Sequence, residues 1–240
     1  RLVGSEMCIR DRSWCPRDLN EAMLRRQLFL SLSLLCVGPL AWAQTDGLGL
    51  LGQFLQGTHS GRATFSQVVT SVPKAGQPPR QRTSSGTLEF QRPGRFRFTY
   101  TRPFAQTLVA DGQTLWLHDP DLQQVTARAQ AQVLGGTPLA FIISATDLTG
   151  LQKDFQLQTE PPRDGLQWVK AIPKRDDGQL RQALAGLRAT DRGPELVVLD
   201  VLDAFGQRSV LTFSAFESNP VLKADTFVFH PPVGADVIRP

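Results

Sequence analysis

The sequence predicts a mainly β domain, and three kinds of segment lead to that prediction. Residues Arg95–Thr101 read RFRFTYT, in which aromatic and polar side chains alternate as in a strand with one apolar and one solvated face. Residues Gln106–Leu117 place Asp111-Gly112 between two β-rich runs, which predicts a hairpin with a type I′ turn. Further short strands are expected at Ala63–Thr70, Thr87–Gln91, Gln123–Ala127, Asp154–Thr159, Leu166–Ala171, Glu195–Asp203, Arg208–Phe216 and Thr226–Phe229.

Few segments favour helices. Leu48–Gln56 is amphipathic, and Thr137–Ser144 has an N-cap threonine followed by proline at the first helical position. Gln179–Leu187 has a helical composition but lies between strands. We expect Ser71–Ser85 to be a long polar loop and Arg92–Arg95 to be a tight turn.

The order of these elements leaves three architectures open. About ten short strands joined by short connections suit a sandwich, a closed barrel or an open barrel with a helical lid. The many phenylalanines of the strands fit a solid core as well as a wall around a cavity, because alternation alone does not separate the two.

Residues 23–43, MLRRQLFLSLSLLCVGPLAWA, have the features of a secretory signal peptide. A basic start, a short apolar run and the ending Ala41-Trp42-Ala43 follow one another. The run is shorter than the roughly 20 residues that span a bilayer. We therefore expect cleavage before Gln44, one domain over residues 44–240 and a location in the periplasm. Residues 1–22 precede the signal and are interpreted as non-native read-through.

Cysteine positions and charge exclude several kinds of site. Cys8, Cys15 and Cys36 all precede the expected cleavage site, so the mature domain should hold no disulfide, thiol nucleophile or Cys-bound metal. Leu35 stands where a lipidated cysteine needs a small residue before it, which predicts a protein without a lipid anchor. The formal net charge of +4 is too small to favour nucleic acid.

Catalytic motifs are missing from the sequence. It contains no G-x-S-x-G, H-E-x-x-H or Walker A pattern, and its histidines His59, His118 and His230 are far apart. His118 stands beside Asp119, so a lipid hydrolase using His118 is one alternative, although a solvated histidine at a strand end is the favoured interpretation of the pair. We expect no catalytic residue, no metal and no cofactor.

The block from Leu88 to Ile143 resembles the LolA family of periplasmic carriers of outer-membrane lipoproteins. Similar segments flank this block, in the same order as in the family. The matching segments are ATFSQVVT (63–70), RPGRFRF (92–98), LVADGQTLWLHDP (108–120), QQVTAR (123–128), GGTPLAFII (135–143) and ADTFVFHPPVGADVI (224–238).

The resemblance implies an incomplete antiparallel β-barrel, or half-barrel, closed by a lid of short helices. Leu48–Gln56 would be its first helix, Gly136–Ser144 part of the lid, and Gln179–Leu187 a strand. Arg92 would hold the lid shut by hydrogen bonds to lid backbone, where the sequence alone favours a solvated turn residue. The lipid-binding wall would consist of Phe90, Phe96, Phe98, Leu108 and Trp116, with Leu139, Phe141, Ile142 and Ile143 from the lid.

The resemblance also implies a function and partners. We expect a monomeric chaperone, not an enzyme, that shields the acyl chains of lipoproteins in a partly hollow interior. An inner-membrane ABC-type complex, LolCDE, would load it, and the outer-membrane receptor LolB would unload it. A periplasmic lipid-binding sensor of the RseB type is the alternative within the same fold, although such sensors carry a second domain. LolB itself needs a lipidated N-terminal cysteine.

Overall fold

The computed structural model describes residues 46–73, 76–134, 143–175 and 180–239. The expected signal peptide and all three cysteines lie outside these ranges. Twelve strands and three labelled helices occur in the described ranges. The helices are α1 Gly47–Gly57, α2 Gln130–Leu134 and α3 Leu148–Asp154. The strands are β1 Ser60–Thr70, β2 Gln81–Gln91, β3 Arg95–Arg102, β4 Gln106–Ala110, β5 Thr114–Asp119, β6 Gln124–Ala129, β7 Phe155–Arg163, β8 Leu166–Pro173, β9 Leu180–Thr190, β10 Gly193–Asp203, β11 Arg208–Ser218 and β12 Asp236–Ile238.

The strands form one open sheet in the order β12-β6-β5-β4-β3-β2-β1-β11-β10-β9-β8-β7. Neighbouring strands are antiparallel, except that β12 runs parallel to β6. Strands from both halves of this order contribute to a single apolar cluster, so the sheet curls around that cluster without closing. The predicted mainly β half-barrel is therefore confirmed.

The inner face of the sheet is the face that carries this cluster. On β3 it holds Phe96 and Phe98, which pair across the sheet with Ala110 and Leu108 of β4. On β9 it holds Ala183, Ala185 and Leu187. The composition of β9 thus suits a helix by propensity, but its backbone pairs with β8 and β10, and tertiary pairing decides its structure.

Helix α1 lies on the inner face, against β7 to β10. Asp46 caps it, because its carboxylate accepts a hydrogen bond of 2.8 Å from the Gly49 amide. Leu50, Leu51, Phe54 and Leu55 are all buried, at the spacing of one helix face. Gly47 comes so close to β8 that a Cβ there would lie 2.6 Å from the carbonyl oxygen of Trp168.

The C-terminal segment, residues 219–239, covers the outer face of the sheet's other half. Phe227 is buried, and Phe229 lies 5.5 Å from the ring of Trp116. Arg97 of β3 donates hydrogen bonds to the carbonyl oxygens of Thr226, at 2.6 Å, and Val228, at 3.1 Å. The segment ends in β12, which pairs with β6.

Two predicted element assignments are wrong near the ends of strands. Thr226–Phe229 is not a strand, because its carbonyls bond to Arg97 and its amides close turns, such as Val228 to the Asp225 carbonyl. The C-terminal strand is β12 instead. The predicted loop Ser71–Ser85 is too long, because β2 already begins at Gln81, where it pairs with Thr70. Most of the predicted helix Thr137–Ser144 lies outside the described residues.

The hairpin at Asp111-Gly112 is confirmed, but its type I′ turn is not. Only Gly112 has a positive φ, of 106°, whereas a type I′ turn needs positive φ at both central residues. Asp111 shapes the turn with its side chain, which accepts hydrogen bonds from the amides of Gln113, at 2.8 Å, and Thr114, at 2.7 Å.

Candidate functional site

Arg92 lies in the turn between β2 and β3 and reaches the C-terminal end of α1. Only 9% of the residue is exposed. Its Nη1 donates hydrogen bonds to the carbonyl oxygens of Phe54, at 3.4 Å, Leu55, at 3.5 Å, and Thr58. Arg92 is therefore a buried side chain that joins the sheet to the helix, in contrast to a solvated turn residue.

The position of this cation follows from helix electrostatics. The last carbonyls of a helix lack intrahelical partners and carry partial negative charge, which a guanidinium neutralises. The Arg92 guanidinium also lies 4.9 Å from the centre of the Phe54 ring and 5.4 Å from that of Phe90. Burial lowers the pKa of Arg92 to about 10, so the group still carries its charge at neutral pH.

Asn219 is a second polar tie at the same end of α1. Its Nδ2 donates to the Gly57 carbonyl at 2.8 Å, and its Oδ1 accepts from the His59 amide at 2.8 Å. Asn219 follows β11 and has a positive φ of 54°. Sequence reasoning missed this residue, although asparagine is one of the few residues enriched in that conformation.

Most of the predicted wall residues that the structure describes come together on the inner face. Phe90, Phe96 and Phe98 are 2–3% exposed, and Ile143 is 1% exposed. Leu108 is partly buried and packs against the same cluster. Phe96 and Phe98 meet edge to face with ring centres 5.9 Å apart. Leu139, Phe141 and Ile142 lie outside the described residues.

Trp116 is not part of this wall. It pairs with Val109 of β4, whereas the inner-face residues on either side of it, Leu115 and Leu117, pair with Ala110 and Leu108. Because side chains of a strand alternate between faces, Trp116 lies on the outer face, under the C-terminal segment. Its prediction as a wall residue is wrong, because the register through the turn at Asp111 pairs it with the outer-face residue Val109.

Gln130, at the start of α2, is a buried connector that sequence reasoning also missed. Its Nε2 donates to the Gly94 carbonyl at 2.7 Å, and its Oε1 accepts from the Gly112 amide at 2.9 Å. The Gly94 amide in turn donates to the Ile143 carbonyl at 3.4 Å. One glutamine thus joins two turns beside Arg92, and no pattern in the sequence marks it.

His118 lies away from the inner face. It shares the outer face with Trp116, and its ring centre is 5.9 Å from that of Phe229. Within the described ranges, no hydrogen bond links His118 to a serine or a carboxylate. The same ranges contain no cluster of His, Cys, Asp or Glu able to hold a metal ion, and no helix long and apolar enough to cross a membrane.

Two cavities bounded by described residues lie at the end of the sheet that holds Arg92. One, of about 490 Å³, is lined by Ser60, Gln91, Arg95, Asp111, Pro220, Leu222, Lys223, Ala224, Phe227, Val228 and Phe229. The other, of about 420 Å³, is lined by Gln53, Gly57, Thr58, Arg192, Gly193, Pro194, Glu195, Phe216, Glu217, Ser218, Asn219 and Pro220. Neither of these two cavities is lined by Phe96 or Phe98.

These features define an open half-barrel protein with an apolar inner face that is covered by a tied helix. The family model described as "Outer membrane lipoprotein carrier protein LolA" matches residues 56–230. The chain belongs to the LolA family.

Curated relatives agree with the family model. An outer-membrane lipoprotein carrier protein of Albidiferax ferrireducens is 56% identical over 206 residues, which are 85% of this chain and 97% of the relative. One of Leptothrix cholodnii is 45% identical over 218 residues, 90% of this chain and 97% of the relative. A solved LolA superfamily protein of Nitrosomonas europaea has a TM-score of 0.43 at 14% identity, covering 75% of this chain and 94% of that one.

Proposed function

We propose that this chain is a periplasmic chaperone that carries acylated lipoproteins from the inner to the outer membrane. It would shield their acyl chains against the inner face of the half-barrel. The observation that carries the proposal is an aromatic wall on one half of the inner face. Helix α1 lies next to this wall and contacts the sheet through its side chains. The relatives described as outer-membrane lipoprotein carrier proteins cover 85% and 90% of this chain and support the proposal.

Access to the wall requires that its cover move. Phe90, Phe96 and Phe98 are almost fully buried, so a hydrocarbon reaches them only when neighbouring side chains shift. α1 is held by side-chain packing and by Arg92 and Asn219, and each of these contacts can break without unravelling the sheet ladder. Opening therefore costs free energy, and the burial of cargo hydrocarbon against the wall offsets part of that cost.

The energetics of acyl burial favour such partial shielding. A lipoprotein with three chains of about 15 methylenes each would gain roughly 36 kcal/mol on full burial, at about 0.8 kcal/mol per methylene. Non-covalent affinities rarely exceed about 20 kcal/mol. A carrier that buried every methylene could not release its cargo. If the cover costs free energy to open, the net binding free energy is smaller and release becomes feasible.

Arg92 has the position of a latch in this scheme. Its charge is taken out of water, which is unfavourable, and the α1 carbonyls compensate for it only in the closed arrangement. We propose that Arg92 controls the lid by stabilising the covered state relative to the cargo-bound one. Its described side-chain acceptors are the carbonyls of Phe54 and Leu55 in α1 and of Thr58 just after it, so we include α1 in the proposed cover, together with the segment that ends near Ile143.

Location and partners complete the proposal. Residues 23–43 would direct the chain to the periplasm and be removed before Gln44. The inner-membrane LolCDE complex would load the monomeric carrier, and LolB would receive the cargo at the outer membrane. No cofactor and no catalytic residue are needed, because the work consists of burying and releasing hydrocarbon.

Native mass spectrometry of the protein purified from periplasm tests the main proposal. A carrier should show a fraction of molecules with one acylated polypeptide bound, and delipidated lipoprotein should not bind. A population that never carries an acylated passenger, under conditions where lipoproteins are being exported, would contradict the function.

The Arg92→Leu variant tests the latch. Without its tie to α1, the covered state should lose stability relative to the open state, so the variant should retain more lipoprotein after purification. Arg95→Leu is the matched control, because Arg95 flanks the same turn but is exposed, and its side chain makes no hydrogen bond within the described residues. Equal retention by wild type and both variants would reduce Arg92 to a structural residue.

A further inference from the structure

On β3, β1 and β11 the inner face changes from apolar to polar with increasing distance from Arg92. Arg92 follows Gln91, which pairs with Ser60 at the beginning of β1. Along β1 the inner-face positions are Gly61, Ala63 and Phe65, and the next one is Gln67. An amide therefore interrupts the apolar positions of β1 at the point where alternation would place another apolar side chain.

Three hydrogen-bonded side chains form this boundary, and we name them the polar row: Gln67, Tyr100 and Ser209. The Tyr100 hydroxyl donates to Gln67 Oε1 at 3.1 Å, and Gln67 Nε2 donates to Ser209 Oγ at 2.8 Å. Gln67 lies on β1, Tyr100 on β3 and Ser209 on β11. The polar row thus crosses four neighbouring strands of the inner face, with β2 between β3 and β1.

Gly86 of β2 makes this crossing possible. It pairs with Phe65 on one side and Tyr100 on the other, and it presents no side chain between them. A Cβ at Gly86 would lie 1.9 Å from the carbonyl oxygen of Thr99. The Tyr100 ring consequently reaches over β2, contacts Phe65 with ring centres 5.0 Å apart, and places its hydroxyl on Gln67.

The polar row is partly buried, because Tyr100 packs against the apolar cluster. Burial raises the pKa of the Tyr100 hydroxyl, against a smaller lowering effect of Arg82. All three polar groups have partners, so an apolar chain laid across them would displace their hydrogen bonds or leave them unsatisfied. Leaving a buried polar group without a partner is unfavourable, which opposes binding of the chain beyond this point.

The apolar stretch of β1 is of the same order of length as one acyl chain. Six residues separate Gly61 from Gln67, and at about 3.3 Å per residue they span roughly 20 Å. An acyl chain of a bilayer lipid extends across one leaflet, about half of the roughly 30 Å hydrocarbon core. A chain that enters beside Arg92 and lies more extended than in a fluid leaflet would have its methyl end near the polar row.

We infer that the polar row, Gln67, Tyr100 and Ser209, sets how far an acyl chain penetrates along the inner face and thereby determines the chain length that this protein prefers. The inference rests on the proposed function, since it presumes that acyl chains lie on this face. Chains that stop short of the row bury all their methylenes, and longer chains gain nothing from the extra ones.

Fatty acids of increasing length test the inference on the purified full chain. Laurate, palmitate, stearate and arachidate would displace a fluorescent apolar probe from wild type and from Gln67→Leu/Tyr100→Phe. Wild-type affinity should rise from laurate to palmitate and then level off. In the double variant it should keep rising, by up to about fourfold for each further methylene that becomes buried.

Two further variants make the outcome interpretable. Tyr100→Phe keeps the ring and removes only the hydroxyl, so it should fold and shift the plateau in the same direction by a smaller amount. Ser66→Leu/Thr99→Val makes a similar polar-to-apolar change on the outer face of the same strands and should keep the wild-type profile. A plateau at the same length in all four proteins would overturn the inference alone. Wild type that binds none of the fatty acids would overturn the proposed function and the inference with it.

Discussion

Two segments cover the sheet, one on each face, and each is held by an arginine that donates to backbone carbonyls. On the inner face, Arg92 bonds to carbonyls at the end of α1. On the outer face, Arg97 bonds to the carbonyls of Thr226 and Val228. The outer segment is also joined to the sheet by the backbone pairing of β12 with β6, whereas α1 has no such pairing.

We propose that this difference makes the inner cover the more easily detached one. Backbone pairing continues the sheet, so the outer segment is expected to unfold together with its edge. Detachment of α1 breaks no strand pairing, although it exposes buried side chains such as Leu51 and frees the last helix carbonyls that Arg92 and Asn219 bind. On this proposal the inner face is exposed while the sheet stays paired.

The largest expected effect comes from Leu51→Ala, which tests how firmly the inner cover is packed. Leu51 is fully buried, and its truncation should lower the free energy of unfolding by about 2–5 kcal/mol if α1 unfolds with the sheet. Chemical denaturation measures the change, with the exposed Gln53→Ala on the same helix as control. A loss well below this range would indicate that α1 separates before the sheet unfolds.

The outer cover should respond to Arg97→Leu with a smaller effect. Loss of two hydrogen bonds from a charged donor should cost about 1.5–3 kcal/mol. Hydrogen exchange should quicken at residues 223–229 and remain slow in α1, because the two covers lie on opposite faces. Faster exchange in both segments would show that the covers are coupled and would contradict their independent detachment.

Asp111→Asn should give the smallest effect and should depend on pH. Burial alone would raise the pKa of Asp111, but hydrogen bonds from Thr114, Trp116 and Gln113 outweigh it and lower the pKa. Because the folded pKa lies below the unfolded one, the carboxylate stabilises the fold above about pH 4, and this contribution disappears as the pH falls through the folded pKa. We expect the variant to lose about 1 kcal/mol at neutral pH.

The pH series provides its own control for Asp111. The difference in unfolding free energy between wild type and Asp111→Asn should shrink as the pH falls below about 4, where the unfolded carboxyl becomes protonated, and should be lost below the folded pKa, where the carboxyl is protonated in both states. A difference that stays constant from neutral to acidic pH would mean that the side-chain charge is irrelevant to the turn.

Local patterns predicted most of the elements. Strict alternation located β3, and an amphipathic spacing located α1 to within one residue at each end. Predictions were weaker wherever a segment was assigned by composition. Polarity made residues 81–85 look like a loop, but they pair with β1, since pairing satisfies the backbone whatever the side chains are.

Strand alternation accounts for part of the candidate site. Phe96 and Phe98 share a face with Phe90 by the pairing of β2 with β3, which a hairpin around Arg92-Pro93-Gly94 already implies. Trp116 required the register through a further turn, and one residue of offset moved it to the other face. Gln130 and Asn219 could not be found, because their partners are backbone atoms distant in sequence.

By itself the amino-acid sequence determined the strand periodicity, the amphipathic first helix and the family resemblance, because these depend on neighbours along the chain. The tertiary structure decided which face each strand turns to the interior, which carbonyls Arg92 and Arg97 bind, and which side chains Gln67 bonds to where it interrupts the apolar wall. The physical reason is that pairing register and hydrogen bonds between distant segments are set only when the whole sheet has curled around its core.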